Sequence, residues 1–251
     1  MGILDKILGR GKRRKLPEEG GKLLDAGWTR EELREAARDV VAMARALFEN
    51  HRLNDAETLV MRAKVFYEEA GDRDGVGTCY RYEGSICRER GDLQGAQMAF
   101  GKSLSLAHSA KDHARMSLCE SGIGGVLEKQ GDSAGAMAAY RRAIDLAKQG
   151  GDFAHASICH GLIADLLGRQ ENYVEAQHHY REGAKTAAQA NSAAVMAECL
   201  QGLAEMYVRT GDDARALEAL KAYEEAVRAV GEPVDPKALT LMEVLRQKVG
   251  S

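Results

Sequence analysis

The side chains in this chain that could do chemistry are its thiols, imidazoles and clustered cations. Cysteines stand at 79, 119, 159 and 199, with Cys87 beside the series. A reactive thiol needs an electropositive, accessible setting. No Cys-x-x-Cys pair is present, and a fixed forty-residue spacing reads better as one small buried residue per repeat. His155 and His160 are five apart and share a helical face poorly, and His178-His179 fall on another segment, so no metal site is expected. The sequence contains no Gly-x-Ser-x-Gly, His-Glu-x-x-His, phosphate loop or dinucleotide fingerprint. The expectation is a protein that is not an enzyme and needs no cofactor.

Composition narrows the class. Three prolines, few aromatics and abundant helix formers in 251 residues favour helix throughout. The first fifteen residues carry six basic groups (Lys6, Arg10, Lys12, Arg13, Arg14, Lys15) against Asp5. That segment is +5, so the overall −3 leaves −8 on residues 16–251, which argues against nucleic acid as a partner. No run of eighteen apolar residues and no signal peptide is seen. Free cysteines add to the expectation of a cytoplasmic protein, peripheral at a membrane if the N-terminus binds one.

The elements that must position these groups repeat. Alanines occupy 56, 96, 136, 176 and 216; Phe100, Tyr140, Tyr180 and Leu220 form a large column; Gly84, Gly124, Ala164 and Ala204 form a small one. A fixed period of this length marks one supersecondary unit copied several times. Gly71-Asp72, Gly91-Asp92, Gly131-Asp132, Gly151-Asp152 and Gly211-Asp212 punctuate it every half period. Glycine can end one helix in the left-handed conformation, and aspartate can cap the next. Lys111-Asp112, Glu171-Asn172, Asn191-Ser192 and Gly231-Glu232 are weaker copies, and His51-Arg52 leaves its turn geometry open.

Helix pairs are therefore predicted at 29–50 with 53–70, 73–90 with 93–110, 113–130 with 133–150, 153–170 with 173–190, and 193–210 with 213–230. Thr29 and Glu32 form a capping box, and Trp28 can staple onto Leu33. Asp235 and Pro236 open a last helix to Val249 that covers the edge of the stack. The small column is expected to meet the comb alanines across each hairpin. The domain reading is a basic amphipathic segment and linker over 1–28, a repeat array over 29–231 and a capping helix over 232–251.

The order small residue, apolar residue, Gly-Asp, Ala, aromatic, Ala, as in Gly124, Leu127, Gly131-Asp132, Ala136, Tyr140, Ala143, resembles the tetratricopeptide repeat. The forty-residue step is similar to the long-helix variety of Pins/LGN-type scaffolds, kinesin light chains and bacterial regulators. The resemblance implies an all-α, right-handed solenoid of about five antiparallel pairs plus a C-terminal capping helix. It also implies a concave groove that takes a peptide or helix of a partner protein.

Carried over by position, the groove holds Arg81, Tyr82, Ser85, Arg88, Lys129, Asp165, Arg169, Gln201, Glu205 and Arg209. Lys129, Arg169 and Arg209 form a basic ladder suited to ligand carboxylates; the bland alternative is that they complement helix C-termini. Gly122, Gly125, Gly161, Gly168 and Gly202 are expected to widen the groove for a bulky guest. The Lys/Asn carboxylate clamp of chaperone adaptors is missing its Asn.

At the N-terminus, Ile3, Leu4, Ile7 and Leu8 share one helical face ahead of Arg13 and Arg14 in the basic cluster. That is a recipe for weak contact with an anionic membrane surface; a basic tail or a helix docking on a partner is the other reading. Gly2 is a poor myristoylation site because position 6 is Lys. The functional expectation is a scaffold or adaptor. The alternatives are a self-associating structural protein and a regulator that sequesters an enzyme or transcription factor.

Overall fold

The structure is a computed structural model that describes residues 22–25 and 27–250. Among these residues it is all α-helical, a tetratricopeptide-like solenoid of eleven helices in consecutive antiparallel pairs. They are α1 Arg30–Glu49, α2 Leu53–Glu69, α3 Arg73–Arg90, α4 Leu93–Ala110, α5 His113–Lys129, α6 Ser133–Gln149, α7 Phe153–Arg169, α8 Tyr173–Gln189, α9 Ala193–Thr210, α10 Asp213–Ala229 and α11 Pro236–Val249. The boundaries agree with the predicted pairs within a residue or two at each end. The chain divides into two compact units, Met1–Val126 and Leu127–Ser251.

The turns explain the comb. At Gly71, Gly91, Gly131, Gly151 and Gly211 the backbone has φ between +68° and +83°. Each following aspartate donates its amide five residues back, as Asp72 does to Tyr67 O at 2.8 Å. Its carboxylate then accepts an amide from the next helix: Gly75, Gly95, Gly135, His155 and Arg215 donate to it at 2.8–3.1 Å. His51, Lys111, Glu171 and Asn191 take the same left-handed conformation, with φ of 51–60°. Thus the first turn keeps the geometry that its sequence left open, and a non-glycine residue carries the strain. Thr29 and Glu32 form the capping box, and Asp235 caps α11.

In the first unit α1 packs on α2 and α3 on α4. Leu33, Val40, Ala56, Val60 and Tyr67 are buried together, and Trp28 lies against the same cluster. In the second unit α7 packs on α8, α9 on α10, and α11 closes over α10. There Ala176, Leu203, Ala216, Leu220, Met242 and Leu245 share one core. All five comb alanines are 0% exposed.

The large column packs against small residues on both sides. A methyl group built on Gly84 would lie 2.9 Å from the Phe100 ring, and its nearest neighbours are all atoms of that ring. In this repeat the small residue lies against the aromatic of its own hairpin. Phe100 is held from the other side by Gly122, where an added methyl would come within 2.5 Å.

Candidate functional site

In the first unit, α3 presents four of the predicted groove residues. The Arg81 guanidinium lies over the Tyr82 ring, 4.2 Å from its centroid. Ser85 Oγ donates to Arg81 O at 3.2 Å. Arg88 donates to Glu89 Oε1 at 3.1 Å. Its guanidinium also fills the space above Gly125, where an added methyl would be 2.6 Å from Nη1.

The second unit gathers more of the prediction in one place. Asp165 and Arg169 on α7 and Glu205 and Arg209 on α9 line a single cleft of about 360 Å³. Gly168, Glu171, Tyr173, Tyr180 and Met206 complete it. On the far side of Glu205, Gln201 lines a smaller cleft of about 220 Å³ with Val208, Leu220, and Lys237 and Leu241 of α11. Lys129 is exposed at the end of α5 and lines neither.

The two arginines of the expected ladder face carboxylates of their own chain. Arg169 Nη2 donates to Glu128 Oε1, and Glu128 also accepts the Tyr140 hydroxyl at 2.9 Å. Arg209 lies 3.6 Å from Glu205. The Tyr180 hydroxyl donates to Asp165 Oδ1. Burial, then that hydrogen bond, raises the Tyr180 pKa, so the phenol stays protonated and keeps donating.

The glycine-widened groove is also corrected. Gly202 is filled by the Tyr180 ring, 2.4 Å from an added methyl, as Gly122 is by Phe100. Gly168 backs onto Met206 Sδ at 3.2 Å. Of the five glycines only Gly161 has open space within 4 Å of an added methyl. Sequence reasoning missed Glu171, Tyr173 and Met206; Tyr173 and Glu171 follow a helix end, where spacing arguments are weakest.

His160 and four of the cysteines are core groups. His160, 8% exposed, places Nδ1 3.2 Å from His179 Nδ1 across the α7/α8 hairpin. Burial, then Lys148 and His179, lowers its pKa to about 4. Among the described residues no group of three or more His, Cys, Asp or Glu is placed to hold a metal. Cys79, Cys119, Cys159 and Cys199 are buried and form no disulfide. Burial pushes Cys79 up to about 12, so it remains a thiol. Ile3, Leu4, Ile7, Leu8, Arg13 and Arg14 lie outside the described residues. Among the described residues no helix is long and apolar enough to cross a membrane.

The family model for soluble NSF attachment protein, SNAP, matches residues 11–226. The chain belongs to the SNAP family. Solved structures with which this SNAP-family chain shares its fold are tetratricopeptide-type proteins. A Rap protein complexed with competence and sporulation factor is 14% identical with a TM-score of 0.66, over 88% of this chain and 60% of that one. Aspartyl phosphate phosphatase F from Bacillus subtilis is 13% identical with a TM-score of 0.67, over 96% and 64%. A signal transduction ATPase with a tetratricopeptide repeat sensor from Pyrococcus horikoshii is 16% identical with a TM-score of 0.68, over 88% and 36%. The SNAP-family chain thus spans less than two thirds of each of these three. No curated protein matches it.

Proposed function

We propose that this chain is a non-catalytic adaptor that seats a peptide or helical segment of a partner protein on the α7–α9 face of its second unit. The observation that carries this reading is the α7/α9 cleft, which collects Asp165, Arg169, Glu205 and Arg209 around Tyr173 and Met206. Rigid helices hold these side chains, so little ordering cost falls on binding. Charges of both signs at the rim with apolar surface at the base suit an amphipathic segment. The fold supports the same direction, since the neighbouring Rap protein is described in complex with competence and sporulation factor. A cytoplasmic location with weak anionic-membrane contact through Ile3–Leu8 and Arg13-Arg14 belongs to the proposal as well.

Arg209→Glu tests it. Its one described ion pair is with exposed Glu205, so the variant should fold normally. Co-purification from the native cell should then lose a partner that the unaltered chain retains. Unchanged partners with an unchanged helical spectrum would remove the cleft as the binding site.

A further inference from the structure

The pocket of about 220 Å³ between α9 and α11 repeats the α7/α9 cleft one period later, with one change. In the cleft, Asp165 and Gly168 of α7 stand beside Tyr180 of α8. Forty residues on, Glu205 and Val208 of α9 stand beside Leu220 of α10 and line the pocket. Tyr180 lays its ring against Gly202 and donates its hydroxyl to Asp165. Leu220 has neither ring nor hydroxyl, although Phe100, Tyr140 and Tyr180 make this column aromatic in the three preceding hairpins.

Met242 stands where Gly202 does one period earlier and takes up the inner part of the vacated space. It is 1% exposed and does not line the pocket. The outer part stays open between apolar walls of Ala204, Val208, Leu220, Ala238 and Leu241. Glu205 stands beside them, and among the described residues it meets only Arg209, in an exposed pair at 3.6 Å. Its carboxylate therefore keeps lone pairs for a further donor. The volume falls below the roughly 300–1,000 Å³ of pockets for drug-sized ligands, so it suits a single side chain.

We propose that this pocket takes a tyrosine side chain of the partner segment, its ring against Val208, Leu220 and Leu241 and its hydroxyl donating to Glu205. The guest supplies the column residue that the last hairpin lacks. A phenol fits such a place because it buries an apolar body and keeps one polar tip. The proposal rests on the reading that a partner segment lies on the α7–α9 face. Glu205 belongs to both walls, so the segment reaches the pocket by crossing α9. Crossing one helix takes roughly 10 Å, or about three residues of extended chain. The α11 helix is then a wall of the binding site as well as a cap.

N-acetyltyrosinamide is the probe, followed by nuclear magnetic resonance of the backbone amides of the full chain. It should shift the amides of Val208, Leu220 and Leu241 saturably. N-acetylphenylalaninamide should bind about fivefold more weakly for want of the hydroxyl. Glu205→Leu, at an exposed position, should erase that difference. Leu220→Tyr restores the column from within and should abolish the shifts. No saturable shift at these residues, equal affinity for the two amides, or a preference that survives Glu205→Leu overturns the proposal. The comparison of the two amides decides even if Leu220→Tyr fails to fold. These readouts need no native partner, so their failure is distinct from a failure of Arg209→Glu to release one.

Discussion

The Tyr180 hydroxyl on α8 donates to Asp165 Oδ1 on α7, joining the large-residue column of the core to the charged wall of the α7/α9 cleft. Tyr140 makes the corresponding bond one repeat earlier, but to Glu128. The two acids are not at equivalent positions. Forty residues after Glu128 stands Gly168, and forty before Asp165 stands Gly125. These two repeats each supply one carboxylate and one glycine, with the two slots exchanged. Tyr180→Phe should therefore do two things. Loss of a bond to a charged acceptor should cost about 1.5–3 kcal/mol in thermal unfolding, and partner affinity should fall as Asp165 loses its fixed orientation. Tyr140→Phe should show a similar stability loss, with the effect on affinity passing through Arg169. Calorimetry and titration with the partner separate the two readouts.

Gly122 and Gly161 make a paired test of which glycines are packed. Gly122→Ala puts a methyl group 2.5 Å from Phe100 and should destabilise by roughly 1–3 kcal/mol. Gly161→Ala has open space and should stabilise by about 0.5–1 kcal/mol through helix propensity. Equal effects in denaturant unfolding would contradict the packing described for Phe100.

The repeating alanines and the turn chemistry were readable because both depend on residues close in sequence. Ala136→Leu should overpack a fully buried site and cost about 1–3 kcal/mol. The occupants of Gly122, Gly125 and Gly202 were not readable. Their space is taken by Phe100, Arg88 and Tyr180, side chains from neighbouring helices whose rotamers no period specifies. Arg169 and Arg209 line one cleft, yet the pairing of Arg169 was hidden because Glu128 is 41 residues from the arginine it meets. The Glu128/Asp165 exchange escaped for a similar reason: it breaks the very periodicity from which the groove residues were expected.

Lys111 ends α4 with φ of 54°, a left-handed conformation that costs a side-chain-bearing residue more than glycine. Lys111→Gly should raise stability by about 0.5–1 kcal/mol, read as a higher melting temperature. Gly131→Ala, at φ of 83°, should lower stability by a comparable amount.

His160 gives a pH prediction. Its folded pKa is about 4, below the ordinary 6.5, with burial the main cause and Lys148 and His179 behind it. As pH falls through 6.5 the unfolded chain takes up the proton first, so the stability tied to neutral His160 is complete above 6.5. It declines between about 6.5 and 4 and is exhausted below. Allowing for solvent screening, the span is roughly 1–3 kcal/mol. The stability difference between the unaltered protein and His160→Gln should narrow, or change sign, over that interval. A difference that stays constant with pH would show that His160 titrates normally.

A photo-crosslinking residue at Gly161, one helical turn before Asp165 and facing open space, interrogates the cleft most directly. The protein with this probe should crosslink to one partner polypeptide through a defined segment, and Arg209→Glu should abolish the product. The same probe at Met61, 64% exposed on α2, should not form it. Crosslinks of equal yield from both positions, or a Gly161 product that survives Arg209→Glu, would contradict recognition at the α7/α9 cleft.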